Sequence, residues 1–192
     1  MEPERLHHEL EAILRADPVV WTALERASAL DLPDWMIVSG AIYNTVWNAL
    51  TGQPPGHGIK DVDLFYFDPR DLSWEAEDAV IRRARDHFSG VALPVEIRNQ
   101  ARVHLWYEKR FGRTCPTYRS SAHALSWFAS KTHAVGVRLH QDDTLTVHAP
   151  FGLGDIFAMR IVANRALDNR ETHEEKGERA KSVWPQVTVE PW

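Results

Sequence analysis

At 192 residues and 44% hydrophobic composition, the chain has the size of one domain and enough apolar material for a buried core. Its net charge of -5, from 27 acidic against 22 basic residues, excludes a global positive field that would hold a long nucleic acid non-specifically. The lone cysteine, Cys115, excludes an internal disulfide and any zinc site built from several thiolates.

Met1 to Asp17 holds no uninterrupted apolar stretch of the signal-peptide kind, and nowhere does an apolar run reach the roughly 20 residues of a membrane helix. With the cysteine usage, this leads us to expect a soluble protein of the reducing cytoplasm with no membrane partner. Leu6, Leu10, Ile13 and Leu14 recur at helical spacing, Asp17-Pro18 breaks the pattern, and Val20, Leu24, Ala27 and Leu30 resume it, which predicts two helices. Trp35 to Val38 reads as a buried strand entering a tight Ser39-Gly40 turn, and Ile42, Val46 and Leu50 mark a helix packed along one face. Thr51 to Gly58, rich in Gly and Pro, reads as a mobile connection. Val62 to Phe67 is a strand, and Asp71 or Ser73 caps a helix that buries Val80, Ile81, Ala84 and Phe88. Val91 to Arg98 is another strand, leading to an expected helix over Ala101 to Phe111. A short helical segment follows near Ala124 to Ala129. Ala134–Leu139 and Thr144–His148 form a hairpin about Gln141-Asp142-Asp143. After a turn at Pro150 to Gly154 comes an apolar stretch from Ile156 to Val162, and Glu171 to Trp184 is a last, charged helix ended by Pro185. The interleaved elements predict an α/β fold with a mixed sheet flanked by helices. The eight tryptophans are scattered without repeat and suit core or cleft packing.

Chemistry concentrates in Val38-Ser39-Gly40 and Lys60-Asp61-Val62-Asp63-Leu64. Residues two apart on a strand share a face, so Asp61 and Asp63 stand side by side while Val62 and Leu64 enter the core. Such a pair suits magnesium, or manganese in its place, which takes hard oxygen ligands. Two ions about 3.5–4 Å apart serve both the attacking and the leaving oxygen of phosphoryl transfer. Glu96, alternating with Val95 and Ile97, is the candidate third carboxylate. Ser39-Gly40, where a strand meets a helix, offers free N–H groups and the positive end of a dipole to a triphosphate; a plain helix cap by Ser39 is the lesser alternative. Asn44 lies one turn into that helix. Lys60 beside the acids, and Arg98 and Arg102 after the strand of Glu96, join the expected nucleotide-binding set, a structural ion pair being the alternative for either arginine; Lys176, Arg179 and Lys181 read as a solvated helix face, with binding of phosphate or an acidic acceptor as their alternative.

These motifs resemble the signature of the polymerase β-type nucleotidyltransferase superfamily, and GAIYNTVW, IKDVDLFYFD, NQARVHLW, AVGVRL and APFGLGD are similar to runs of a bacterial family of nucleotidyltransferase-like proteins. The resemblance spans about Trp35 to Trp184. It implies one nucleotidyltransferase-like domain over 1–192, with N-terminal helices over 1–32, a core over 33–165 and a helix and tail over 166–192. It also implies magnesium-dependent use of a nucleoside triphosphate, with Asp61, Asp63 and Glu96 as the acidic triad. The acceptor is left open between a small molecule, a protein and an RNA end. So is the alternative of an inactive nucleotide-binding or protein-interaction module that kept the fold. Two departures stand out: a long interval from Gly40 to Asp61, and Ser-Gly where Gly-Ser is commoner.

Overall fold

The computed structural model describes residues 2–192; Met1, where the expected N-terminal segment begins, lies outside the described residues. Helices α1 (Glu2–Ala16) and α2 (Pro18–Leu30) lead the chain. The break between them is local chemistry. The Asp17 carboxylate accepts from the N–H groups of Val19 and Val20 at 2.9 and 3.0 Å, and Pro18 takes the first helical turn, where an N–H would have no partner within the helix. β1 (Met36–Val38), α3 (Gly40–Thr51), β2 (Val62–Tyr66), α4 (Trp74–His87) and β3 (Val95–Asn99) then alternate. Ser73 starts α4, its hydroxyl accepting from the Ala76 N–H. α5 (Tyr107–Phe111), α6 (Ser121–Leu125), β4 (Gly136–Leu139), β5 (Leu145–His148), α7 (Gly154–Phe157), β6 (Arg160–Ile161), α8 (Arg170–Val183) and β7 (Thr188–Val189) follow.

Five strands form one mixed sheet in the order β3-β2-β1-β4-β5, with β2 and β3 parallel and the other neighbours antiparallel. The register places Val38 opposite Asp63, and Asp63 opposite Glu96. Because paired residues share a face, the sheet has two distinct sides. Ile37, Val62, Leu64, Ile97 and Val137 point into the main core with α1, α2 and α3. Met36, Val38 and Phe65 point the other way, against Leu125 and Phe128 from the segment after β3. The acids of β2 and β3 lie on this second side, which the helices of the main core leave open.

Three departures from the sequence pattern have physical reasons. The expected helix over 101–111 is a 3-10 turn, Gln100–Leu105, followed by α5, with Trp106 between them at φ -123°, ψ -14°, outside the helical range. Val103 packs with Tyr118 and Ala124 while Trp106 and Tyr107 wall a cavity, and one straight helix would not serve both. The apolar stretch after Gly154 divides into α7 and β6, and β6 pairs in parallel with β7, a strand the sequence pattern did not reveal. The loop expected to be mobile is pinned instead. Asn48 Nδ2 donates to the His57 carbonyl at 2.9 Å and Arg179 donates to the Gly58 carbonyl at 2.8 Å. Gly58, at φ 67°, packs so closely on α8 that a Cβ there would lie 2.6 Å from Val183 and 2.7 Å from Trp184.

Candidate active site

Asp63 stands in β2 between Val62 and Leu64, both fully buried on the opposite face. With Asp61, two residues earlier, it lines a small polar cavity of about 60 Å³ that also takes in Ser39, Gly40, Asn44 and Lys60. Lys176 and Arg179 of α8 close the far wall. Among the described residues neither Asp61 nor Asp63 accepts a hydrogen bond or forms an ion pair through its carboxylate. Burial therefore pushes the Asp63 carboxyl up to about 6; Lys176 pulls it down, and Asp61 and Glu96 add to the rise. Lys176, accessible from the cleft yet surrounded by protein, is held below the usual lysine range by desolvation, with Asp63 and Asp61 opposing. Two crowded carboxylates with no hydrogen-bond donor of their own are a donor set that a divalent cation fits.

The turn above them is strained. Ser39 sits at φ 57°, ψ -119°, a region that glycine tolerates and other residues rarely adopt. It is held there because its N–H donates to the Val135 carbonyl at 2.8 Å and its own carbonyl accepts from Ile42 and Tyr43 at 2.9 and 3.0 Å. The Ser39 hydroxyl does not cap α3. It is buried beside the Tyr43 phenol without a well-formed hydrogen bond, and Asn44 Oδ1 is likewise buried and unpaired. The N–H groups of Gly40 and Ala41 have no partner among the described residues. The free N–H groups, the N-terminus of α3 and the unpaired Ser39 hydroxyl thus converge on one spot, the arrangement that binds anions.

Beyond Asp63 the cleft widens into a chamber of about 270 Å³ on the same sheet face, walled by Phe65, Trp106, Tyr107, Tyr118, Trp127 and Phe128. Ser39, Asp63 and Lys176 border both spaces. The nucleotidyltransferase family model matches residues 25–189. The chain belongs to the nucleotidyltransferase family. A solved NMR structure, reported to reveal a CCA-adding enzyme head domain, is 24% identical and superimposes with a TM-score of 0.76, covering 96% of this chain and 96% of that chain. That likeness concerns the fold, a polymerase β-type nucleotidyltransferase fold. No curated protein matches the chain.

Within this family member the expected residues separate into groups. Ser39, Gly40, Asn44, Lys60, Asp61 and Asp63 come together in the polar cavity. Glu96 neighbours Asp63 in register but is 53% exposed, with its carboxylate 3.6 Å from Arg98, and among the described residues no group of three acids, histidines or cysteines is gathered to hold a metal. Arg98 lines the chamber. Arg102 is drawn elsewhere, buried in an ion pair with Glu77 while its Nε donates to the Leu72 carbonyl at 3.2 Å. Lys176 and Arg179, read from sequence as solvated, face the cleft. They flank the buried stripe of His173, Gly177 and Ala180 on α8, a stripe too narrow and polar to be read as a packed face from the sequence. Tyr43 and His133 carried no signal. Among the described residues no helix is long and apolar enough to cross a membrane.

Proposed function

We propose that the protein transfers a nucleoside monophosphate from a nucleoside triphosphate to an acceptor hydroxyl, releasing pyrophosphate, in a magnesium-dependent reaction. The observation that carries this is the unneutralised Asp61–Asp63 pair beneath the strained Ser39-Gly40 turn, faced by two cations of α8. Asp61 and Asp63 would hold magnesium, with Glu96 beside them for a second ion; bound there, the metal supplies positive charge to the phosphates and acidifies the attacking hydroxyl. The chain's own groups do the rest. The N–H groups of Gly40 and Ala41 and the Ser39 hydroxyl orient the β- and γ-phosphates at the positive end of α3. Lys176 and Arg179 offset the charge that grows on the leaving pyrophosphate, and Lys60 guards the solvent side. Asn44 is placed to hold a phosphate or sugar oxygen. Glu96 is the group nearest to Asp63 in register for taking up the acceptor's proton.

A second reading, a nucleotide-binding module without turnover, is favoured by one feature: Glu96 is turned to Arg98 rather than gathered with the aspartates. The two readings part in one experiment. Purified protein is incubated with each labelled triphosphate, magnesium and cell extract, and pyrophosphate and labelled adducts are measured. Transfer that disappears in Asp61→Ala and Asp63→Ala supports the enzyme. Transfer that persists in both overturns the assigned roles. Thermal stabilisation by triphosphate and magnesium with no adduct supports the binding module.

A further inference from the structure

In-line displacement puts the entering and leaving oxygens on opposite sides of phosphorus. With the β- and γ-phosphates against Ser39-Gly40 and the α8 cations, the leaving side is the polar cavity. Ser39, Asp63 and Lys176 border that cavity and the aromatic chamber alike, so the chamber adjoins the place where an α-phosphate would be held at Asp63 and is the space open to an entering oxygen. The nucleoside's 5′-oxygen is an equatorial substituent in this geometry, which carries the base sideways rather than along the line of attack. We propose, on the basis of the nucleotidyl-transfer reading above, that the chamber is the acceptor subsite and that the acceptor is a small molecule with a flat aromatic body bearing the attacking hydroxyl.

Size and lining define the class. A space of about 270 Å³ admits a ring system with a substituent and excludes a folded polypeptide or a nucleic-acid duplex. Its rings come from separate segments, Phe65 from β2, Tyr107 from α5, and Tyr118 and Trp127 from the stretch around α6, so a planar ligand meets aromatic surface on several sides. His133 also lines the chamber. It is 2% exposed and stacks on Tyr43, a residue of the polar cavity, at 4.7 Å and 19°. Its Nε2 is buried with no hydrogen-bond partner. Buried ring nitrogens are ordinarily paired, so this one is a group at the chamber's edge that a ligand hydroxyl would satisfy. In the step itself the hydroxyl oxygen bonds to the α-phosphorus, the bond from that phosphorus to the oxygen bridging to the β-phosphorus breaks, pyrophosphate leaves with the electron pair, and the hydroxyl proton passes to Glu96 and from there to solvent.

The test is a fluorescence titration of the full chain with 7-hydroxycoumarin, a small aromatic alcohol, in magnesium with and without α,β-methylene-ATP, alongside calorimetry with inorganic tripolyphosphate. The coumarin is expected to bind together with the nucleotide analogue. Thr172→Trp, which fills the chamber from α8, should weaken coumarin at least tenfold and leave tripolyphosphate within twofold. Phe111→Ala, at an exposed wall position that truncation leaves foldable, should weaken coumarin severalfold. The proposal is overturned if the wild type does not bind coumarin, or if both variants bind it unchanged. It is also overturned if the analogue displaces coumarin while tripolyphosphate does not, since the nucleobase is then the occupant. Failure of the wild type to bind tripolyphosphate with magnesium would instead remove the nucleotidyl-transfer reading.

Discussion

Replacing Asp63 by asparagine should stabilise the metal-free protein at neutral pH while ending nucleotide transfer. The carboxyl titrates at about 6 in the folded chain against an ordinary 3.8, chiefly because it is buried. A raised folded value means stability that is fully present below 3.8 and is lost as pH rises through about 6. At about 1.4 kcal/mol per pKa unit the loss amounts to about 3 kcal/mol. Asparagine keeps the shape and carries no charge, so the variant should escape most of that loss. In urea unfolding with a chelator present, the two proteins should be alike below 3.8 and diverge through about 6, with the variant the more stable. For a chain of this size each kcal/mol corresponds to about 2–4 °C in melting temperature. Magnesium should narrow the gap by stabilising the wild type alone, because a ligand that binds only the folded state raises its stability. A variant no more stable than the wild type above the transition, or one whose advantage does not change with pH, would refute the argument that burial and crowded charge load this carboxylate.

Ser39→Gly relieves the left-handed strain at φ 57° and deletes the hydroxyl, so its urea midpoint should hold or rise, by up to about 1 kcal/mol, while calorimetry shows weaker tripolyphosphate binding. Gly58→Ala drives a methyl group to within 2.6 Å of Val183 at a positive φ; stability should fall by roughly 2–4 kcal/mol, and the triphosphate KM should rise as α8 shifts with Lys176 and Arg179. Arg102→Met strands the buried Glu77 carboxylate and should cost about 3–5 kcal/mol in urea unfolding, with triphosphate affinity of the folded fraction unchanged because Arg102 lies outside the cleft.

Much of the scaffold was legible because its signals are short-range. The alternation of Asp61, Val62, Asp63 and Leu64 assigns carboxylates and apolar side chains to opposite faces wherever that strand lies. Asp17-Pro18 and Ser73 start helices through hydrogen bonds that close within three residues. Asp142 and Asp143 turn the hairpin through the same kind of local bond, Asp142 Oδ1 accepting from the Thr144 N–H. Which arginine enters the cleft was not legible, for Arg98 and Arg102 follow the same strand and only the position of Glu77 on α4 takes one of them away. The cations of α8 were hidden for a related reason. A charged helix face reads as solvated until the partner of its narrow apolar stripe is known, and here the packing of Gly177 and Ala180 turns Lys176 and Arg179 toward Asp61 and Asp63. Strand alternation, caps and turns were thus determined by the sequence alone, because backbone hydrogen bonding and side-chain period act over a few residues. The cleft was decided by tertiary structure, because its walls come from segments far apart in the chain, and burial, charge neutralisation and strain at Ser39 arise only once those segments meet.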